Sequence, residues 1–142
     1  MEWLWILLFG SFVSLSDQPM NVAAGAHDVP LKKPLSAITS GAALYIDVTS
    51  MVPKDEMTID GSRRWVERNV APGCLKAALQ TEGATTVTVE FRGGFSSAPA
   101  SLHLILSGPG FAVPVRQEFK KLTVSTCMPL RQIRLYWASY RK

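Results

Sequence analysis

From Leu44 onward, apolar side chains recur at every second position: Leu44, Ile46 and Val48 alternate with Tyr45, Asp47 and Thr49. A period of two marks a strand with one buried face, because successive side chains point to opposite sides of the pleat. The pattern returns in Leu75, Ala77 and Leu79. It is clearest in Val87, Val89 and Phe91 against Thr86, Thr88 and Glu90. It recurs in Leu102, Leu104 and Leu106, in Phe111, Val113 and Val115, in Leu122 and Val124, and in Ile133, Leu135 and Trp137. Gly83, the pair Gly93 and Gly94, and the run Ser107 to Gly110 punctuate these segments, and both glycine clusters read as turns. Short strands about ten residues apart predict an all-β fold, an antiparallel sandwich or small barrel, and of the two the reading taken is a β-sandwich of the Ig-like or jelly-roll-like kind with about seven strands.

Only Ser62 to Val70 leaves an opening for helix, with Ser62 as N-cap, Trp65 turned inward, and Pro72 and Gly73 as the stop. A further strand fits that segment equally well. The chain has 142 residues, 47% hydrophobic and 18% charged, which suits one domain and excludes both intrinsic disorder and a polytopic membrane protein.

Ahead of the alternating region, Trp3 to Leu15 is an uncharged run that would extend roughly 20 Å as a helix at ~1.5 Å per residue, short of the ~30 Å hydrocarbon core. Ala24 and Ala26 stand at −3 and −1 of a cleavage site before His27, as a secretory leader requires. Against removal, Met1 and Glu2 supply none of the positive charge that normally precedes such a leader. Trp3 and Trp5 suit a membrane–water boundary, so the run is expected to stay as a single-pass signal-anchor formed by Trp3, Leu4, Trp5, Ile6, Leu7, Leu8, Phe9, Phe12, Val13 and Leu15. The expected organisation is an apolar helix over 1–18, an extended Pro-bearing linker over 19–40, and the sandwich over 41–142.

Cys74 and Cys127 are the only cysteines, and in an exported domain they point to one disulfide. Both are out of phase with the core positions beside them, which places the bridge at a sheet end. No Trp lies between them, so the inter-sheet bridge of antibody domains is not indicated.

Motifs for catalysis are lacking. His27 and His103 have no GxSxG or similar nucleophile motif beside them, and His103 falls on the outward face of its strand. Asp55, Glu56 and Asp60 do not match a calcium loop and are flanked by Lys54, Arg63 and Arg64, which suits a solvated, ion-paired loop. No phosphate loop, haem motif or zinc spacing occurs, so no cofactor and no metal is expected.

From Ser36 to the end there are 13 Lys and Arg against 8 acids, with Arg131, Arg134, Arg141 and Lys142 set among Tyr136, Trp137 and Tyr140. Arg134 and Tyr136 lie opposite the core residues of the last strand, and with Tyr140 and Arg141 they form the candidate interface. Export removes nucleic acid as a partner. The expected role is a non-catalytic accessory or structural subunit of a larger membrane protein complex. Its contacts would be to other subunits, to lipid through the N-terminal helix, and to the periplasmic face. The alternative is a secreted or periplasmic binding module for a glycan or small ligand, released by leader cleavage, with Tyr45, Trp65 and Phe95 as outward aromatics.

Overall fold

The computed structural model describes residues 11–16, 18–36, 42–83, 85–98, 101–108 and 117–139. They form ten strands and one α-helix: β1 (Ser11–Ser14), β2 (Met20–Val22), β3 (Gly25–Val29), β4 (Leu35–Ser36), β5 (Ala43–Asp47), α1 (Ile59–Asn69), β6 (Leu75–Thr81), β7 (Thr86–Ala98), β8 (Ser101–Ser107), β9 (Glu118–Thr126) and β10 (Leu130–Ser139). The all-β class expected from the alternation holds. Every pairing is antiparallel, in the order β1-β10-β5-β8-β7-β6-β9-β3, with β2 also on β10 and β4 also on β9. The architecture is one continuous curled sheet, where the sequence led to a sandwich of about seven strands.

The alternation puts Leu44, Ile46, Leu75, Ala77, Leu79, Val89, Phe91, Leu102, Leu104, Leu106, Leu122, Val124, Ile133, Leu135 and Trp137 inside, all buried. The curl is closed by contacts between strands far apart in the order. Trp137 on β10 packs edge-on against Phe119 on β9 at 6.4 Å, and its Nε1 donates to the Ser36 carbonyl of β4 at 2.9 Å. A buried indole N–H needs such an acceptor, and here the acceptor joins the two ends of the sheet.

Three sequence expectations are corrected. The residues read as an extended linker contribute β2, β3 and β4, all taken up by β9 or β10, with Val22, Val29 and Leu35 buried. The end of the apolar run is strand and not helix: Ser11 to Ser14 pair with Ser139 to Tyr136, and Leu15 packs against the core. The backbone of β10 would otherwise present an unpaired edge along Tyr136 to Ser139, and this segment completes it. Trp3, Leu4, Trp5, Ile6, Leu7, Leu8 and Phe9 lie outside the described residues. No helix among the described residues is long and apolar enough to cross a membrane.

The third correction concerns Gly93 and Gly94, which are a bulge and not a turn. Phe91 pairs with Leu106 and Phe95 with Leu104, so three residues of β7 face Ile105 alone, and Gly93 takes φ +99°. Glycine adopts that angle without a Cβ penalty, so the strand bends and continues to Ala98.

The ambiguous segment is a helix, but its cap lies earlier than Ser62. Thr58 Oγ1 accepts from the Gly61 amide at 2.9 Å, leaving Ser62 buried one turn in. Trp65 and Val66 are buried, and the helix packs on β7. Gly61 has a steric reason to be glycine: a Cβ there would overlap the Glu56 carbonyl oxygen and stand 2.9 Å from Thr58 Oγ1. Gly61→Ala is therefore expected to destabilise by about 1–3 kcal/mol despite alanine's better helix propensity, read as a lower midpoint in urea unfolding. An unchanged or higher midpoint would show that the turn before α1 relaxes freely.

Cys74 and Cys127 are bridged. They stand one position beyond the pair Leu75 and Thr126 that ends the β6–β9 ladder, and the Cys127 amide donates to the Cys74 carbonyl at 3.0 Å. The bridge sits at a sheet end, as their phase indicated. A structural disulfide belongs to an oxidising, extracytoplasmic compartment.

Candidate interaction face

The same alternation that fills the core leaves a defined set of side chains outside. On β5 these are Tyr45 and Asp47, on β8 His103, and on β10 Arg134 and Tyr136, all half-buried. Strand order makes the three strands neighbours. Tyr45 stands opposite Tyr136, while Asp47 stands between Arg134 on one side and His103 on the other. Directly opposed residues on one face have Cβ atoms about 4.5–5.5 Å apart, close enough for their side chains to interact.

His103 Nε2 lies 3.7 Å from Asp47 Oδ2, with both side chains about one-fifth exposed, at 22% and 21%. The imidazole sits 5.9 Å from the Tyr136 ring and 6.5 Å from the Tyr45 ring, tilted by 59° to each. Asp47 is fixed from behind: its Oδ1 accepts from the Thr49 amide at 2.9 Å and from the Thr49 hydroxyl. Thr49 Oγ1 in turn accepts from the Leu102 amide at 3.0 Å, tying the end of β5 to the start of β8. This chain of hydrogen bonds leaves Oδ2 facing His103 and sets the carboxylate before any ligand arrives.

The face can offer a carboxylate acceptor, an imidazole, a guanidinium and two phenol rings side by side, a composition suited to binding. The register also sets Ser96 of β7 opposite His103, so Asp47, His103 and Ser96 share a row. Within that row His103 Nε2 is turned toward Asp47 on β5. Among the described residues no three His, Cys, Asp or Glu side chains gather closely enough to hold a metal ion. Glu56, one of the three acids weighed for calcium, pairs with Arg68 of α1.

Of the interface residues expected from sequence, Arg134 and Tyr136 belong to this face, and Tyr140 and Arg141 lie outside the described residues. Of the three outward aromatics, Tyr45 joins the face, whereas Trp65 is buried and Phe95 packs against the core. Asp47 and His103 are legible in the sequence as outward residues of their strands, but not as partners of each other, nor His103 as a neighbour of the Tyr136 ring. A second feature is a cleft of about 330 Å³ between β1 and residues 31–36, floored by Trp137 and lined by Val13, Leu15, Leu31 and Leu35. Comparison of the chain with protein-family models, with curated proteins and with solved structures finds no match.

Proposed function

We propose that this is a non-catalytic, extracytoplasmic contact protein, an accessory subunit of a larger membrane complex that holds a protein partner against the outer face of β10, β5 and β8. The observation that carries the proposal is the set Tyr45, Asp47, His103, Arg134 and Tyr136, brought together from three strands, with the Asp47 carboxylate fixed through Thr49. Tyr and Arg are the residue types that dominate protein interfaces, because each combines a large apolar body with directional polar groups. The disulfide supports the compartment. The pairing of β1 with β10 takes Ser11 to Ser14 out of any anchoring helix, so attachment to the complex is assigned to this face.

The test is recovery of partners with the full chain from its native envelope fraction. Arg134→Glu with Tyr136→Ala is expected to weaken retention of the partner by about 2 kcal/mol, roughly thirtyfold in Kd, with the thermal midpoint little changed. A partner held as tightly by the double variant would remove this face from the interaction.

One observation favours the alternative of a glycan or small-ligand module: Tyr45 and Tyr136 stand side by side next to Asp47 and His103, so apolar rings and hydrogen-bonding groups converge. Under that reading a soluble sugar titrated onto the protein binds, and Tyr136→Ala abolishes it while recovery of protein partners is unaffected.

A further inference from the structure

We propose that the chain is processed on the C-terminal side of Ser16 during export, and that the mature protein is the sheet from β2 to β10 without β1. The proposal rests on the extracytoplasmic location and is independent of which partner the outer face holds.

Export signals end in a small-x-small pattern just after an apolar segment of 7–15 residues. Two places in this chain offer that pattern. Ala24 and Ala26 stand well beyond the apolar run, whereas Ser14 and Ser16 follow it directly, with Trp3 to Val13 as the apolar segment.

The fold discriminates between them. A cut after Ala26 would fall inside β3, between the residues paired with Ser125 and Val124, and would discard β2 entirely. With β2 would go buried Val22 and the Asn21 side chain, whose Oδ1 accepts from the Gln132 amide at 2.9 Å. Gln132 needs that partner. It sits at φ +52°, a left-handed conformation that a non-glycine residue keeps only when its surroundings hold it. Ser50 holds it from the other side, donating to its carbonyl at 2.7 Å. A cut after Ser16 spares all of this. It removes β1, an end strand paired to β10 alone and carrying Val13 at 41% exposure, together with half-buried Leu15, whose amide donates to the Leu135 carbonyl at 2.9 Å, and Ser16, whose Oγ accepts from the Leu135 amide at 3.4 Å.

Cleavage by a signal peptidase consumes one water: the Ser16 carbonyl carbon takes the hydroxyl and becomes a carboxylate, and the nitrogen of Asp17 takes the proton and becomes the new amino terminus. The product loses one wall of the cleft beside Trp137, formed by Val13 to Leu15. It also frees the outer edge of β10 beside Arg134 and Tyr136, next to the face assigned to a partner.

The experiment is export of the full chain in a bacterium, followed by intact mass and N-terminal sequencing of the folded, oxidised protein. The expected result is a chain beginning at Asp17. A chain beginning at His27, or one retaining Met1, overturns the proposal. Two variants sharpen the reading. Ser16→Leu places a bulky side chain next to the scissile bond, in a segment the mature fold does not contain, and is expected to accumulate the unprocessed form. Ala26→Leu, on an exposed position of β3, is expected to yield the Asp17 terminus unchanged. Normal processing of Ser16→Leu, or a block by Ala26→Leu, would refute the assigned site.

Discussion

Val89→Asp is expected to yield no folded protein, whereas Thr88→Asp one position earlier folds with near-normal stability. Val89 lies at 0% exposure on the inner face of β7, opposite Ala77 on β6, while Thr88 is exposed on the other side of the same strand. A carboxylate at position 89 has no cation or donor to meet it among the leucines and phenylalanines of the core, and burying it unpaired costs several kcal/mol. A domain of this size has only about 5–15 kcal/mol in hand, and the lost valine packing adds to the deficit. At position 88 the same carboxylate stays in water and pairs across the ladder with Ala78, where no like charge opposes it. Circular dichroism and the urea midpoint of the two variants decide the matter. Comparable stability in both would mean that the phase of β7 is wrong, and with it the assignment of inner and outer faces throughout the sheet.

Replacing both cysteines, Cys74→Ser with Cys127→Ser, is expected to cost about 2–5 kcal/mol. The bridge joins residues separated by 53 positions, and on the chain-entropy account a loop of that length restricts the unfolded state by about 4 kcal/mol. Its location matters as much as its span. It lies where β6 and β9 end, so it holds together two strands that would fray at that end, and it tethers the connection that leads from β9 into β10. Cys74 is buried, so the serine hydroxyl there adds a polar group to an apolar site. The measurement is the urea midpoint of wild type, reduced wild type and the double variant. The reduced wild type and the double variant should fall together, well below the oxidised protein. A double variant as stable as the oxidised protein would show that the ladder alone holds the sheet end.

How much of this was readable beforehand follows the range of the forces involved. A strand's inward face depends only on alternating residues, and wherever the alternation was clean, as in Leu102, Leu104 and Leu106 or Ile133, Leu135 and Trp137, the buried side was legible. The same local logic placed the disulfide at a sheet end, because phase is a property of a few neighbours. Local logic also has definite failures. Gly93 and Gly94 look like a turn because glycine tolerates both a turn and a bulge, and only pairing with β8 decides between them. Ser62 carries the same capping chemistry as Thr58, and the choice between them rests on where Trp65 must point to reach the core.

The N-terminal segment shows the limit most plainly. Its composition of small residues and prolines reads as linker, since nothing in β2, β3 or β4 alternates strongly enough to announce a strand. Those residues become strands because β9 and β10 offer unpaired backbone on their outer sides, and hydrogen bonding to it satisfies donors and acceptors that water would otherwise hold. The outer face obeys the same rule. By itself the sequence determined that Tyr45, Asp47, His103, Arg134 and Tyr136 point away from the core, because a pleat of period two admits no other direction once the apolar residues go inside. That they meet was decided only by tertiary structure, which sets β10 beside β5 and β5 beside β8 although the strands are remote in the chain. Strand order is a competition among all possible edge pairings, and no local pattern encodes its outcome.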